Sequence, residues 1–218
     1  MLIILTGKSC AGKDTLKQAF LNKGAISLLS DTTRPMREGE KQGKQYNFIE
    51  SSDFNKDTYI EYREVRDKNT QSSILYGTPK KELDNDKTYI TIKDRSGAEA
   101  LKDYYGKDNV FIAYLDIPYD IRRRRSFIRD NGYKDAEWIN KWNTRALMDD
   151  NEFRDIYKTA DIIYDNKSLA DKEDMTALVE KTLIFINALK DGQRMTPIDF
   201  EVEGSLSLAQ RHEDEIER

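Results

Sequence analysis

The most constraining feature of this chain is a glycine-bounded loop near its start. Gly7 and Gly12 enclose four residues and Lys13 follows at once, which gives the spacing G-x-x-x-x-G-K. The loop lies between residues 2–5, an apolar run typical of a fully buried parallel strand, and a segment with helical spacing. Glycines let consecutive backbone amides point inward, and a helix N-terminus adds partial positive charge. The sequence therefore predicts a phosphate-binding loop in which Lys13 bridges the terminal phosphates of a donor.

The first helical turn departs from the usual form of such loops. Asp14 stands where many of them carry the serine or threonine that binds magnesium, and Thr15 comes one residue late. A carboxylate near phosphates is repulsive unless a cation lies between them. Asp14 therefore either helps to hold hydrated Mg²⁺ or points away as a helix-start residue. Cys10 is expected to be only a small residue of the loop. The predicted ATP contacts in this region are Gly7, Ser9, Cys10, Ala11, Gly12, Lys13, Asp14 and Thr15.

Apolar runs and helical patterns alternate along the rest of the chain. Further buried strands are predicted at residues 88–92, 110–115 and 161–164. Helices are predicted around residues 98–104, 119–129, 136–156 and 175–189. Such alternation is typical of a parallel sheet covered by helices.

Residues 30–83 differ from this pattern. They contain polar turns at 37–43 and alternating or aromatic runs at 46–49 and 59–65, which indicate a small β-rich insert. The predicted fold is a three-layer α/β P-loop domain with a central parallel sheet, this insert and a helical lid.

Composition argues against two classes of partner. The 36 basic and 40 acidic side chains leave a formal charge of -4, so nothing in the global balance attracts the chain to nucleic acid or to an anionic membrane. The apolar residues 1–5 are too few for a signal-peptide core or a membrane span, and the single cysteine, Cys10, cannot form an internal disulfide. We expect a cytoplasmic location.

A second motif occupies residues 30–40, with the sequence S-D-T-T-R-P-M-R-E-G-E, and continues to Tyr46-Asn47-Phe48. Arg34 and Arg37 can offer forked donors to a monophosphate, and Tyr46 can add a hydroxyl. This segment resembles the guanylate kinase family, which carries a similar S-x-T-T-R-x-x-R-x-G-E run followed by G-x-x-Y-x-F.

Two further blocks extend the resemblance. Residues 59–65, Y-I-E-Y-R-E-V, and 75–79, L-Y-G-T-P, are similar to the family blocks F-x-E-W-x-E-V and Y-Y-G-T-P. The resemblance implies that Glu61 accepts hydrogen bonds from guanine N1 and the exocyclic amino group. It also implies that Ser30 and Thr78 assist base recognition and that Tyr76 reaches the acceptor phosphate. A carboxylate matches the adjacent donors of guanine and repels the acceptor pattern of adenine.

The strand end at residues 92–97, I-K-D-R-S-G, resembles the family pattern acidic-x-D-x-Q-G. Asp94 keeps the second acidic position, whereas Ile92 replaces the first. Asp94 is therefore expected to assist either magnesium or the acceptor base. Together with Asp14, this departure implies a rearranged metal shell, for which the candidates are Asp14, Thr15 and Asp94.

The strongest basic cluster begins at Arg122. Arg122, Arg125 and Arg129 fall on one helical face, which suits either closure over phosphates or a solvated, ion-paired surface. In kinases of this kind, lid arginines stabilise charge on the transferred phosphoryl group. The resemblance makes either Arg125 or Arg129, together with Arg145, candidates, although the family's second lid arginine aligns nearer Trp142. The predicted catalytic set is Lys13, Arg34, Arg125, Arg129 and Arg145.

Asn166 completes the predicted donor site. It resembles the asparagine near the donor adenine in the family, and it would look the same as a turn residue that ends a strand. The predicted acceptor-binding set is Ser30, Arg34, Arg37, Tyr46, Glu61, Tyr76, Thr78 and Asp94.

The predicted organisation is one domain over residues 1–190 and a charged tail over residues 191–218. The domain divides into a core (1–29, 84–121 and 151–190), an acceptor-binding insert (30–83) and a lid (122–150). The predicted function is Mg²⁺-assisted phosphorylation of GMP or dGMP by ATP through direct in-line transfer, in a monomer or homodimer. Alternatives are a kinase for another deoxynucleoside monophosphate or ribose 1,5-bisphosphate, and an inactive protein-binding module of the same fold.

Overall fold

A computed structural model describes residues 1–66, 72–130, 135–165 and 172–190 of the chain. Its central sheet has five parallel strands in the order β2-β7-β1-β8-β9. These strands are β1 (Leu2–Gly7), β2 (Ile26–Ser27), β7 (Tyr89–Ile92), β8 (Val110–Asp116) and β9 (Ile162–Asp165). Five helices accompany them: α1 (Lys13–Asn22), α2 (Arg95–Tyr105), α3 (Tyr119–Arg129), α4 (Ala136–Glu152) and α5 (Lys172–Lys190).

Strand β1 is the centre of the core. Its apolar side chains are fully buried, and alternate residues point to opposite faces of the sheet. Ile3 and Leu5 pack in the cluster that includes residues of α1 and α5. Leu2 and Ile4 pack in a second cluster, which includes residues of α2. A strand with helices on both faces requires a continuous apolar run, and residues 2–5 provide it.

The region between β2 and β7 forms a separate four-stranded sheet in the order β4-β3-β6-β5. Its strands are β3 (Asp31–Thr32), β4 (Asn47–Phe48), β5 (Tyr59–Arg66) and β6 (Ser73–Pro79). Strands β5 and β6 form its long antiparallel pair, and β3 pairs with β6 on the other side. Strand β5 contacts α2, so the small sheet packs against the core.

The predicted fold class is confirmed. The buried strands predicted at residues 88–92, 110–115 and 161–164 are present within one residue of those bounds, and β1 continues two residues beyond the predicted run, to Gly7. The helix expected at residues 136–156 ends earlier, at Glu152, and a short 3₁₀ turn, Ile156–Lys158, follows it. Strands β2, β3 and β6 were not predicted, because β2 and β3 are only two residues long and β6 contains a glycine and ends in a proline. The tail at 191–218 lies outside the described residues, and the division of the domain stays a prediction.

We expect Ile4→Ala to lower the free energy of unfolding by about 2–5 kcal/mol, because it removes buried methyl groups and leaves a cavity beneath the sheet. Ile128 is the matched control, since its side chain is 64% exposed on α3. Ile128→Ala should change stability by no more than about 0.5 kcal/mol. Urea denaturation of the two variants measures the difference, and equal losses would contradict the assignment of β1 as the core strand.

Candidate functional site

The glycine loop joins β1 to α1 at the carboxyl edge of the parallel sheet. Gly7 has φ 148°, and a Cβ there would lie 2.9 Å from the carbonyl oxygen of Leu115 on the neighbouring strand. Gly12 has φ 101° directly before the helix, and Cys10 takes a left-handed φ of 62°. Residues with a side chain rarely adopt such backbone angles. The two glycines therefore allow the tight turn that a phosphate-binding loop needs.

Lys13 lies across this loop. Its Nζ donates to the carbonyl oxygens of Gly7 at 2.6 Å and Lys8 at 3.0 Å. Burial lowers the pKa of Lys13, and the nearby carboxylates of Asp149 and Asp14 act in the opposite direction. A lysine at this place can turn from loop carbonyls to donor phosphates, whose negative charge favours the ammonium form.

Two arginines of the predicted lid reach the loop. Arg125 Nη1 donates to the carbonyl oxygen of Ala11 at 3.0 Å, and Arg145 Nε donates to Ser9 Oγ at 2.6 Å. The helices that carry them, α3 and α4, are far apart in sequence from the loop. The fold therefore brings Arg125 and Arg145 to the phosphate loop, as the catalytic prediction requires.

A buried carboxylate from α4 anchors the same loop. Asp149 is 2% exposed and accepts hydrogen bonds from the Ser9 backbone amide at 2.7 Å and from Ser9 Oγ at 3.2 Å. The equally buried Arg122 lies 3.7 Å from Asp149 Oδ2 and also donates to the carbonyl oxygen of Ile117. Its guanidinium lies 5.8 Å from the ring centroid of Trp142. Arg122 thus holds α4 against the loop rather than facing solvent.

The other predicted donor-side residues are Arg129, Thr15 and Asn166, none of which the structure confirms as a donor contact. Arg129 is exposed and pairs with the adjacent Asp130 at 3.2 Å, so the structure does not bring it to the loop. Thr15 is exposed on the first turn of α1. Asn166 lies outside the described residues. The catalytic role of Arg129 and the donor contact of Asn166 stay predictions.

The acceptor candidates surround one cavity of about 1080 Å³ beside the loop. It lies between the small sheet, the carboxyl end of β7 and the start of α1, with Arg145 from the lid at its border. Seven of the eight acceptor candidates line it: Ser30, Arg34, Arg37, Tyr46, Glu61, Tyr76 and Asp94. The eighth, Thr78, is buried and donates to Glu61 Oε1 at 2.5 Å.

Arg34 is oriented by a carboxylate and two rings. Its guanidinium donates to both carboxylate oxygens of Glu40, at 2.8 and 2.9 Å, and lies over the rings of Tyr46 and Phe48. The hydrogen bonds from Arg34 lower the pKa of Glu40, and the same pair raises the pKa of Arg34. Arg34 is therefore a fixed cation at the cavity wall, with Tyr46 and Tyr76 in edge contact beside it.

The predicted base-recognition residues also form a connected group. Glu61 on β5 accepts from Thr78 and, at 2.7 Å, from Nζ of Lys93. Lys93 Nζ also donates to Ser30 Oγ at 2.6 Å. Lys93 follows β7 directly, and its side chain is 9% exposed. The group thus links the small sheet to the edge of the core sheet.

Asp94 has a structural duty in addition to lining the cavity. One carboxylate oxygen accepts from the Gly97 amide at 2.8 Å and caps α2, and the other accepts from Arg63 at 2.9 Å. Asp14 lines the cavity from the first turn of α1. Among the described residues, no group of three or more histidine, cysteine or carboxylate side chains could hold a metal by itself. This donor set fits Mg²⁺ only as an ion that keeps its waters and is shared with phosphates.

Sequence reasoning missed two residues of this site. Lys93 could have been found from its place at the carboxyl end of a buried parallel strand, where ligands bind in such sheets. Asp149 could have been found as the residue four positions after Arg145 on one helix face. Neither pattern says which residue across the fold will be the partner, so the contacts with Glu61 and Ser9 came only from the structure.

Comparisons with known proteins agree with one another. The family model for guanylate kinase matches residues 1–89. The guanylate kinase of Clostridium tetani is 29% identical over 212 residues, which cover 88% of this chain and 98% of that protein. The guanylate kinase of Clostridium acetobutylicum is 30% identical over 193 residues, which cover 79% of this chain and 88% of that protein.

A solved structure shares the fold. The guanylate kinase from Anaplasma phagocytophilum superimposes with a TM-score of 0.57 at 21% identity, over 87% of this chain and 86% of that one. No helix in the described part of the chain has both the length and the apolar character needed to cross a membrane.

We expect Asp149→Ala to destabilise the protein by about 3–5 kcal/mol, because it leaves Arg122 buried without its carboxylate. The adjacent Asp150 provides the control. It is about half exposed and pairs with Lys8 at the surface, so Asp150→Ala should cost at most about 1 kcal/mol. Thermal and urea unfolding of both variants measure the difference, and similar losses would contradict an anchoring role for Asp149.

The Arg34–Glu40 pair predicts a pH dependence of stability. Arg34 holds the pKa of Glu40 below its ordinary value of 4.5, so the contribution of the pair is complete above that value and is lost as the pH falls through the lowered pKa. The stability difference between wild type and Glu40→Gln should therefore be larger at about pH 7 than at about pH 3.

The control for this experiment is the exposed neighbour Glu38. Glu38→Gln should stay close to wild type at both pH values, because surface substitutions away from such contacts change stability by less than about 0.5 kcal/mol. Urea denaturation at the two pH values gives the free energies. A Glu40→Gln difference that grows on acidification would be opposite in sign to this linkage.

Proposed function

The chain belongs to the guanylate kinase family, and from this premise we propose that it transfers the terminal phosphoryl group of ATP to GMP or dGMP. The observation that most supports the proposal is one cavity that extends from the first turn of α1, next to the phosphate loop, to the acceptor motif. Asp14 of α1, Arg34 of the acceptor motif, Glu61 of β5 and Arg145 of α4 all line it. A donor on the loop and an acceptor in the cavity would thus lie next to each other.

The donor would bind with its phosphates on the glycine loop. The backbone amides after Gly7 and the N-terminus of α1 favour negative charge there. Lys13 would leave the loop carbonyls to contact the terminal phosphates. Arg125 and Arg145 already contact the loop through Ala11 and Ser9, so their guanidinium groups would need only local movement to reach the phosphates.

The acceptor would bind with its monophosphate near Arg34, Arg37 and Tyr76 and its base near Glu61. Arg34 is held by Glu40 and can share its forked donors with a phosphate. Tyr46 stands against Arg34, and burial raises the pKa of this phenol, so it stays a neutral hydrogen-bond donor. Glu61 would accept from the adjacent N–H groups of guanine.

Catalysis in this arrangement depends on position and charge. Two bound nucleotides would place an acceptor phosphate oxygen in line with the terminal phosphorus of ATP, and the cationic side chains would stabilise charge on the transferred group. Closure of the lid helices over the loop would exclude water and so limit wasteful hydrolysis of ATP. No protein nucleophile is required.

Asp14, which lines the cavity, would help to hold a hydrated Mg²⁺, and this ion would neutralise charge on the donor phosphates. Asp94 is engaged with Arg63 and the α2 amide, so it would act through water or through the acceptor. This assignment differs from a shell of several carboxylates and matches the loss of an acidic residue at Ile92.

The proposed setting is a cytoplasmic enzyme of purine nucleotide metabolism that acts as a monomer or homodimer, without nucleic acid or membrane partners. The net charge of -4 supports the last point. Intact Lys13, Arg34 and Arg37 argue against an inactive binding module. Glu61, with its paired donors, favours a base-bearing acceptor over ribose 1,5-bisphosphate.

The proposed activity is tested by ADP formation from ATP and Mg²⁺ with GMP, dGMP, the other nucleoside monophosphates and ribose 1,5-bisphosphate as acceptors. We expect turnover with GMP or dGMP, and Lys13→Met should reduce it by at least about a hundredfold because the phosphates lose their central cation. Lys23→Met, on the surface pair with Glu180, is the control and should keep activity. Turnover with ribose 1,5-bisphosphate alone would overturn the guanine assignment.

Glu61→Gln adds a test of base recognition within the same assay. The amide has lost one acceptor oxygen, so use of GMP should fall by about tenfold or more while the protein stays folded. Circular dichroism and thermal unfolding check the fold. An unchanged preference for GMP over AMP in Glu61→Gln would remove Glu61 from the base site.

A further inference from the structure

Lys93 occupies a position that the site assignments above leave without a role. Its backbone amide donates to the carbonyl oxygen of Leu5 at 3.1 Å, which holds the residue at the carboxyl end of the central sheet. From there the side chain crosses to the small sheet and places Nζ against Glu61 and Ser30. It lines the acceptor cavity although it is only 9% exposed.

A buried lysine in this place costs solvation that its contacts must offset. Nζ lies 2.7 Å from Glu61 Oε1, and the same oxygen accepts from Thr78 at 2.5 Å. An ammonium group has three N–H donors, and the contacts with Glu61 and Ser30 use two of them. The third is left for a ligand in the cavity that Lys93 and Glu61 both line.

The two charged groups together present an ordered hydrogen-bonding edge. Lys93 supplies a donor, and the Glu61 carboxylate beside it supplies acceptor sites, chiefly at Oε2, because Oε1 already accepts from Thr78 and Lys93. Guanine presents the complement in the same order: a carbonyl acceptor at position 6, then the N1–H and 2-amino donors. Adenine has a donor at position 6 and an acceptor at N1, so it would oppose both Lys93 and Glu61.

We propose that Lys93 donates a hydrogen bond to the 6-carbonyl oxygen of the acceptor base and so selects 6-oxopurine monophosphates. The inference rests on the proposed function, since it concerns the base of the nucleotide that receives the phosphoryl group. Glu61 reads N1 and the 2-amino group, whereas Lys93 reads position 6. Hypoxanthine keeps the 6-carbonyl and N1–H and lacks the 2-amino group, so it would lose a contact with Glu61 only.

The test compares binding of GMP, 6-thio-GMP and IMP to the full-length protein by calorimetry. The sulfur of 6-thio-GMP is a weak hydrogen-bond acceptor, and the N1–H and 2-amino donors are kept. Wild type should bind GMP about tenfold or more tightly than 6-thio-GMP, the size of a hydrogen bond to a charged group. Lys93→Met keeps a side chain of similar length and loses the N–H donors. In this variant, the ratio of GMP affinity to 6-thio-GMP affinity should fall about tenfold.

The ratio of GMP affinity to IMP affinity distinguishes the role of Lys93 from that of Glu61. It reports the 2-amino contact with Glu61, so in Lys93→Met it should stay within about threefold of wild type. Lys102→Met is the matched control, because Lys102 is also a mostly buried lysine, 17% exposed, with a 2.6 Å ion pair to Asp161. Lys102 lies on the part of α2 that is remote from the cavity. Both affinity ratios of Lys102→Met should therefore equal those of wild type.

Two results would overturn the assignment. One is a folded Lys93→Met whose preference for GMP over 6-thio-GMP equals that of wild type. The other is an equal fall in both ratios, which would mean that Lys93 acts only by keeping Glu61 in place. If Lys93→Met does not fold, equal binding of GMP and 6-thio-GMP by wild type would still exclude a contact at position 6.

Turnover measured beside binding keeps this inference apart from the proposed function. Binding of GMP with a Lys93-dependent preference, but without ADP formation, would refute the kinase activity and leave the base contact standing. Phosphorylation of GMP with a preference for GMP over 6-thio-GMP that is the same in wild type and Lys93→Met would support the kinase activity and refute the base contact. A protein that neither binds nor phosphorylates GMP would refute both.

Discussion

The structure depends on the complete burial of β1 between two helical layers. Ile3 and Leu5 pack toward α1 and α5, and Leu2 and Ile4 pack toward α2, so the strand cannot shift by one residue without exchanging its two faces. This fixed strand ends at Gly7, whose close approach to Leu115 sets where the phosphate loop begins. The positions of the loop amides and of Lys13 follow from that end point.

Around the loop, the protein pairs almost every buried charge with a partner from another element. Arg122 of α3 meets Asp149 of α4, and Asp149 binds the amide of Ser9. In the small sheet, Glu61 meets Lys93 from the end of β7. Isolated buried charges are expensive, so each pair ties two elements together as well as holding a group for chemistry. The pairs therefore set both the shape of the cavity and its electrostatic character.

Much of the fold could be predicted from local pattern. The apolar run at residues 2–5, the glycine spacing and the alternation of strands with helices rest on short-range rules, and these elements were found where expected. Strands β2, β3 and β6 were missed because their existence depends on pairing with neighbouring strands rather than on their own sequence. The end of α4 was placed too late, since an amphipathic pattern continues beyond the last helical turn.

The sequence by itself determined the phosphate loop, the acceptor motif and the family, because these are carried by residues close together in the chain and by backbone requirements at Gly7 and Gly12. Only the tertiary structure decided which distant side chains meet. It separated Arg125 and Arg145, which contact the loop, from Arg129, which is exposed, and it placed Lys93 against Glu61. The physical reason is that helical spacing fixes the face of a residue, whereas its partner depends on how whole elements pack.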